Sequence, residues 1–154
     1  MLVLAPGKSP RLVIDFRALN EKTVGDRYPL PNIESLPERV GNAQVFSVMD
    51  FSSSFYQIPL REYDQFKMGF STHNGHFEFT RSHMGLKTSL NNFQRVVDIA
   101  LQGLLGKICT VFIDDLLIFS RNMKEHLEHL KIILERLEQA GLKVKPGKCQ
   151  FVKK

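Results

Sequence analysis

The sequence of 154 residues contains no tryptophan and only two cysteines. Cys109 lies in an apolar run and Cys149 in a basic one, and neither has a second thiol nearby in sequence. A disulfide framework and a zinc knuckle both need several such residues at short spacings, so neither is expected. We therefore expect a reduced, intracellular protein.

Long hydrophobic runs are also missing. A membrane-spanning helix needs about 18 or more successive apolar residues, and no stretch of this sequence approaches that length. The apolar opening at 1–6 is too short for the core of a signal peptide. The sequence thus predicts no membrane partner.

The composition fits one globular unit that binds an acidic partner. Hydrophobic residues make up 43% of the chain and charged residues 24%, which suits a compact apolar core. The 21 Lys and Arg residues outnumber the 16 Asp and Glu residues, giving a formal net charge of +5. This excess favours contact with a polyanion such as a nucleic acid. Many soluble domains are equally basic, so the charge alone does not decide.

Strand patterns dominate the first half of the chain. The apolar residues at 12–14 predict a short strand, and the proline-containing stretch 20–37 predicts an extended connector. The run 45–50 is rich in strand formers and ends on an acid. The stretch 66–81 alternates loosely around an Asn-Gly pair, which predicts a β-hairpin.

The second half adds two helices and a second hairpin. Apolar residues after Gly85 predict a helix that ends near Gly103 to Gly106 and packs on the sheet, because they recur at three- and four-residue steps: Leu90, Phe93, Val97, Leu101 and Leu104. The runs 109–113 and 116–119 predict a hairpin with two acids at its tip.

A second amphipathic helix is predicted over 127–137, with Gly141 closing it and a basic tail following at 143–154. His126 and His129 lie one turn apart and are flanked by acids, so we expect them on its exposed face and not as metal ligands. The order of elements indicates an α+β fold.

Three aspartates are the candidate site. Asp114 and Asp115 are adjacent acids between apolar runs, and like charges so close raise each other's proton affinity unless a cation neutralises them. Asp50, at the end of a predicted strand, could complete an oxygen-rich magnesium site. Two ions about 3.5–4 Å apart are the arrangement that supports phosphoryl transfer. The simpler alternative is that the pair forms a hairpin turn and that Asp50 caps a helical turn.

Seven short motifs follow one another along the chain. They are IDFRALN at 14–20, RYPLP at 27–31, FSVMD at 46–50 with YQI at 56–58, GHFEF at 75–79, GL at 85–86 with FQ at 93–94, FIDD at 112–115, and GLK at 141–143 with KCQF at 148–151. In this order they resemble the reverse transcriptases of gypsy-type long-terminal-repeat retrotransposons, which are related to retroviral Pol.

The resemblance implies the fingers and palm of a right-hand polymerase. The palm would be an antiparallel sheet of the RNA-recognition type with helices packed on one face. Fingers are expected at about 1–44 and 60–85, and palm at about 45–59 and 86–154. Thumb, connection and RNase H segments are expected to be absent from the 154 residues.

The resemblance also implies roles for individual residues. Asp50, Asp114 and Asp115 match the catalytic carboxylates that hold two Mg²⁺ ions, for which Mn²⁺ can substitute. Lys148 matches the lysine that protonates the departing pyrophosphate.

Further matches concern substrates. Phe55 matches the bulky residue that excludes a ribose 2′-hydroxyl, Gly85 and Gln94 match residues that support the nucleotide, and Arg11 matches a fingers residue that holds the triphosphate. Each has an ordinary alternative, such as a core aromatic for Phe55 or a solvated charge for Arg11. Template or primer contacts are expected at three further positions: Lys8, Arg17 and Phe112.

The chain departs from the family pattern at several positions. Phe112 stands where a tyrosine is usual, and Lys8 with Arg11 stands in place of a lysine pair. His83-Met84 and Leu90-Asn91 replace steps that usually contain proline. These changes border the expected nucleotide pocket.

Two function classes follow from these observations. The first is an RNA-directed DNA polymerase that binds deoxynucleoside triphosphates and an RNA or DNA template with its primer, alongside a second subunit or the remaining Pol domains. The second is a degenerate or domesticated remnant that binds nucleic acid or protein without catalysis. Either is expected in a cytoplasmic particle or the nucleus.

Overall fold

The computed structural model describes residues 2–3, 11–31 and 40–153. No helix in these residues is long and apolar enough to cross a membrane. The described strands are β1 (Leu2–Val3), β2 (Arg11–Leu12), β3 (Val45–Asp50), β4 (Gly69–Thr72), β5 (Gly75–Glu78), β6 (Cys109–Phe112), β7 (Asp115–Ser120) and β8 (Gln150–Lys153). The described α-helices are α1 (Arg17–Lys22), α2 (Glu62–Gln65), α3 (Ser89–Ala100) and α4 (Met123–Gln139).

A four-stranded antiparallel sheet, in the order β6-β7-β3-β8, forms the centre of the fold. Residues alternate along β3, so that Val45, Ser47 and Met49 are buried while their neighbours are partly exposed. This period of two is typical of a strand that buries one face. The sequence predicts this strand from its strand formers and not from this alternation, because polar Ser47 is buried whereas apolar Phe46 and Val48 are partly exposed.

The helices α3 and α4 cover one face of this sheet. Their apolar sides meet residues of β3, β6 and β7 in one core, whose members include Met49, Phe93, Val97, Leu101, Leu116, Ile118, Ile133 and Leu137. Burying one such side chain contributes roughly 1.5–3 kcal/mol. The expected α+β fold with helices on one face of an antiparallel sheet is confirmed.

The remaining described strands form two separate two-stranded sheets. β1 pairs with β2, and β4 with β5 forms the predicted hairpin. The Asn20 side-chain amide donates to the Gly85 carbonyl (2.7 Å) and accepts from the Lys87 N–H (2.8 Å). These two bonds attach α1 to the segment that leads into α3.

Several predicted boundaries are wrong. The strand predicted at 12–14 is β2, which covers Arg11–Leu12. The predicted connector begins inside α1, and its residues 32–37 lie outside the described residues. α3 ends at Ala100, and turns rather than helix lead to β6.

The predicted basic tail is also wrong, because part of it completes the sheet. Pro146–Lys148 forms a 3-10 helix, and β8 pairs with β3 along the edge opposite β7. Gly141 is confirmed as the end of α4: its φ is +68°, and the Leu142 N–H donates to the Leu137 carbonyl (2.9 Å).

The expectation of an exposed His126 is wrong. His126 is fully buried and joins α4 to two strands. Its Nε2 lies 2.7 Å from Ser47 Oγ on β3, and its Nδ1 lies 2.9 Å from Ser120 Oγ on β7. His129 Nδ1 lies 2.8 Å from the same Ser120 oxygen, and the Val152 N–H donates to Ser47 Oγ (3.0 Å). This polar network links β7 and β8, the two strands that pair with β3, to α4.

Candidate active site

Backbone pairing brings the three predicted carboxylates to one end of the central sheet. Asp50, the last residue of β3, is the register partner of Asp115, the first residue of β7. The Phe51 N–H donates to the Asp114 carbonyl (3.0 Å), which continues the ladder past the strand end. The prediction of a hairpin at these acids is confirmed. Its turn consists of Ile113 and Asp114, whereas Asp115 already belongs to β7.

The turn holds a strained backbone. Ile113 has a φ of +56°, a left-handed conformation that costs a β-branched residue roughly 1–3 kcal/mol. The next residue is Asp114, whose Oδ1 is buried and accepts no hydrogen bond from the described residues. Strain and an unsatisfied buried oxygen at the same turn are features that functional sites commonly retain.

The three acids affect one another electrostatically. Burial raises the pKa of Asp115, and the negative charges of Asp50 and Asp114 raise it further, against the opposing effect of Lys148. A carboxylate in this position is stabilised by any cation that reaches it. The structure therefore shows the repulsion between neighbouring carboxylates that the sequence predicts, and a cation would relieve it.

Lys148 supplies one such cation. Its Nζ donates to Asp50 Oδ2 (2.6 Å), although the two residues are 98 positions apart. This hydrogen bond is the main reason that the pKa of Lys148 is raised, and the charges of Asp115 and Asp114 add to it. The Lys145 N–H donates to the Asp50 carbonyl (2.8 Å), which holds the lysine-bearing turn against β3. Asp50 therefore binds an ammonium group and does not cap a helical turn.

The donor set fits magnesium, although it is not a closed cage. Among the described residues, no group of three or more His, Cys, Asp or Glu side chains is arranged to hold an ion as it stands. Mg²⁺ keeps several waters and substrate oxygens and needs only one or two protein carboxylates. The unpaired Asp114 Oδ1 and the mutually repelling Asp50 and Asp115 are oxygen donors of this kind.

A cleft of about 740 Å³ opens beside these carboxylates. Five of the predicted site residues line it: Asp50, Phe55, Gly85, Asp114 and Lys148. Asp115 is not among the described residues that line it. The structure thus gathers residues from four distant parts of the sequence around one opening.

The predicted nucleotide residues differ in their placement. Phe55 is half-buried and packs edge-on against Phe93, with ring centroids 6.3 Å apart, so its outer part remains in the cleft. Gly85 has a φ of +94°, which favours glycine. Gln94 is buried on α3, where its amide donates to Asp98 Oδ1 (2.8 Å), and it is not among the described residues of the cleft lining.

The predicted template and primer residues are not among the described residues that line this cleft. Phe112 is exposed next to the carboxylate turn. Arg17 is exposed and forms a bidentate pair with Asp15, which holds the pKa of Asp15 at about 2. Lys8 lies outside the described residues, and only the backbone of Arg11 is described.

Sequence reasoning set His83 beside the expected nucleotide pocket but missed its partner in the cleft wall, Tyr56. The Met84 carbonyl can only accept, so His83 Nδ1 donates to it (2.7 Å), and His83 Nε2 lies 3.0 Å from the Tyr56 hydroxyl oxygen. Both rings line the cleft. The histidine in place of the usual proline was the signal, but its partner lies 27 residues away and cannot be identified from spacing.

Comparison with known proteins agrees with the motifs. The family described as reverse transcriptase (RNA-dependent DNA polymerase) matches residues 4–154. The Retrovirus-related Pol polyprotein from transposon gypsy of Drosophila melanogaster is 43% identical over 143 residues, which are 93% of this chain and 14% of that polyprotein. The Enzymatic polyprotein of cauliflower mosaic virus (strain Strasbourg) is 36% identical over 144 residues, which are 94% of this chain and 21% of that protein.

Solved structures support the same fold. A foamy viral protease-reverse transcriptase in complex with an RNA/DNA hybrid has a TM-score of 0.87 at 23% identity, over 97% of this chain and 20% of that one. The same viral protein in complex with double-stranded DNA has a TM-score of 0.82 at 25% identity, over 99% of this chain and 32% of that one. The chain therefore belongs to the reverse transcriptase (RNA-dependent DNA polymerase) family, in its gypsy-type retrotransposon branch.

Proposed function

We propose that this chain is the fingers and palm of an RNA-directed DNA polymerase and adds deoxynucleotides to a primer 3′-end. The observation that carries the proposal is the meeting of Asp50, Asp114 and Lys148 at a cleft that Phe55 also lines. Carboxylates, a charged lysine and an aromatic wall are the groups that nucleotidyl transfer to a deoxynucleotide uses.

The reaction forms a phosphoester bond and breaks a phosphoanhydride bond. The primer 3′-oxygen bonds to the α-phosphorus of the incoming nucleotide, the hydroxyl proton passes to solvent, and the bond to the bridging oxygen of pyrophosphate breaks. Bound divalent ions would activate the hydroxyl and neutralise the leaving group. Asp50, Asp114 and Asp115 would hold them. Lys148, whose pKa its acidic neighbours raise, would donate a proton to the pyrophosphate.

Selection of the deoxy sugar would depend on Phe55. Its ring packs against buried Phe93, so the side chain cannot withdraw into the core when a larger sugar approaches. A ribose 2′-hydroxyl would meet this ring, whereas a deoxyribose would not. The presence of Phe55 with Asp50 and Asp114 in the lining of one cleft supports this assignment.

The partners and subdomains follow from the same assignment. We assign fingers to about 1–44 and 60–85 and palm to about 45–59 and 86–154. The central sheet with α3 and α4 falls in the second pair of ranges, and the β4-β5 hairpin falls in the first. A primer on an RNA or DNA template is the proposed partner, since the similar foamy viral structures hold an RNA/DNA hybrid or double-stranded DNA.

Primer extension tests the proposal. The chain covers 14% of the gypsy polyprotein, so the assay uses the chain alone and the chain joined to the segment that follows the matched region in that relative. With Mg²⁺ or Mn²⁺, a primed RNA template and deoxynucleotides, we expect extension products. Asp114→Asn should abolish them, while Asp64→Asn, a change at an acid remote from the cleft lining, should not.

Metal binding provides a second measurement that does not require turnover. Titration calorimetry with Mn²⁺ should detect binding to the parent chain and weaker binding to Asp50→Asn. The proposal fails if the joined chain gives no product and Asp50→Asn binds Mn²⁺ as tightly as the parent.

A further inference from the structure

Gln57 makes an unusual set of contacts beside the cleft. It ends the 3-10 helix Ser54–Gln57. Its side-chain Oε1 accepts from the Lys143 N–H (2.7 Å), and its Nε2 donates to the Lys143 carbonyl (2.9 Å) and to the Ser52 carbonyl (2.7 Å). One amide therefore binds both backbone groups of one residue and the carbonyl of another.

The chemistry of these contacts suits an amide and few other side chains. Lys143 offers a donor and an acceptor side by side, as a residue in a strand does, and an amide group can match both at once. The Ser52 N–H already donates to the Lys143 carbonyl (2.8 Å). The Gln57 side chain thus acts as an additional peptide group between two loop segments that are 86 residues apart in sequence.

Each of these segments carries a residue of the proposed site. The first contains Phe55, two residues before Gln57, and the second leads from Lys143 through Lys145 to Lys148. Phe55, Lys145 and Lys148 all line the cleft. On its backbone side, the Gln57 carbonyl accepts from Arg81 Nη1 (2.8 Å), so the turn is also fixed to the end of the β4-β5 hairpin.

We propose that Gln57 is a positioning residue for nucleotide addition, because its side chain holds the turn that carries Phe55 and the loop that carries Lys148 at a fixed separation. The inference rests on the proposed function and adds to it a residue that touches neither nucleotide nor ion. Losing the amide would move the ring and the lysine together. Small displacements of such groups lower rates strongly.

Kinetics of Gln57→Met test the effect on the reaction. Methionine has similar length and lacks the three polar contacts. We expect KM for the deoxynucleotide to rise, kcat to fall, and the preference for deoxy over ribonucleotides to fall by about tenfold. The matched control is Gln65→Met, since Gln65 is also half-buried and donates to a carbonyl five residues earlier, that of Leu60 (3.4 Å). Equal kinetics for the two variants would overturn the proposal.

Amide hydrogen exchange tests the coupling without catalysis. The Tyr56 N–H donates to the Ser53 carbonyl in one segment, and the Lys148 N–H donates to the Lys145 carbonyl in the other. In Gln57→Met both amides should exchange faster, while core amides of α3 keep the parent rate. Faster exchange in only one segment, or in neither, contradicts the proposal. If the parent chain incorporates no nucleotide, the proposed function fails. The exchange result still decides whether Gln57 couples the two segments.

Gln57→Glu is a second variant, which keeps the proposal testable if Gln57→Met folds poorly. An ionised glutamate keeps the acceptor and loses both donors, whereas a protonated one regains a single donor. The activity of Gln57→Glu relative to the parent should therefore rise as the pH is lowered from about 7.5 to about 5.5. A ratio that stays constant across this range argues against a role for the amide donors.

Discussion

At the scale of single residues, Asp115 is in the least favourable electrostatic position of the three acids. Its pKa is raised, so the folded chain binds its proton more tightly than the unfolded chain does. Stability is therefore lost as the pH rises from the ordinary carboxyl range through the raised value. In the absence of divalent ions, a neutral side chain at this position should stabilise the fold.

We predict that Asp115→Asn raises the free energy of unfolding at neutral pH by no more than about 1 kcal/mol, the range for charges near solvent. Urea unfolding in the presence of a chelator measures it. Glu128→Gln, at an exposed acid on α4, is the control and should change little. A destabilised Asp115→Asn would show that the carboxylate is held by contacts other than these charges.

The positive charge of Lys148 offsets the negative charges of the same three acids. Because its ammonium group binds Asp50 in the absence of an ion (2.6 Å), it competes with any divalent cation for that carboxylate oxygen. We predict that Lys148→Met lowers the urea midpoint in chelator, binds Mn²⁺ more tightly by calorimetry, and regains most of its midpoint when Mn²⁺ is added. Lys107→Met should show none of these changes. Weaker Mn²⁺ binding by Lys148→Met would mean that the lysine assists the ion.

At the scale of elements, the attachment of α4 to the sheet depends on a neutral histidine. Burial lowers the pKa of His126, and the charge of His129 lowers it further. The unfolded chain consequently takes up a proton first as the pH falls, so the contribution of His126 is complete above about pH 6.5 and is lost below it.

We predict a lower urea midpoint for the parent at about pH 5.5 than at about pH 7.5, with a smaller difference in His126→Gln. His73→Gln, at an exposed histidine in the turn between β4 and β5, should keep the parent's pH dependence. Circular dichroism at both pH values follows the transition. An unchanged difference in His126→Gln would assign the acid sensitivity to other groups.

The same helix shows where prediction from sequence ends. The sequence indicates an apolar face through Leu127, Leu130, Ile133, Leu134 and Leu137. Ile133 and Leu137 are buried as predicted, whereas Leu127 and Leu134 are exposed. His126 is buried instead, because the hydroxyls of Ser47 and Ser120 hydrogen-bond its ring, and these partners lie in other elements.

Patterns within one element were predictable, whereas contacts between distant segments were not. β3 and the two hairpins follow from strand formers and turn residues near one another in sequence. The pairing of Lys148 with Asp50 spans 98 residues, and that of Gln57 with Lys143 spans 86. Only the family resemblance indicated Lys148, and nothing in the spacing indicated Gln57.

At the scale of the whole molecule, the net charge of +5 should govern affinity for nucleic acid. We predict that binding of a primer-template weakens as salt rises, by about 100-fold between roughly 50 and 200 mM if about four phosphates are neutralised. Fluorescence anisotropy with a labelled duplex measures the slope. A slope near zero would exclude the phosphate backbone as the main contact.

The ladder between β3 and β7 has a consequence for how such chains lose function. Asp50 lies opposite Asp115 at one end, and Val45 lies opposite Ser120 at the other, roughly 17 Å away. A slip of one position would turn Asp115 to the opposite face of the sheet. The buried bonds of His126 to Ser47 and Ser120 oppose that slip. A descendant of this chain can therefore keep all three aspartates and still lose its ion through a substitution that touches none of them, so intact carboxylates alone are a poor measure of competence.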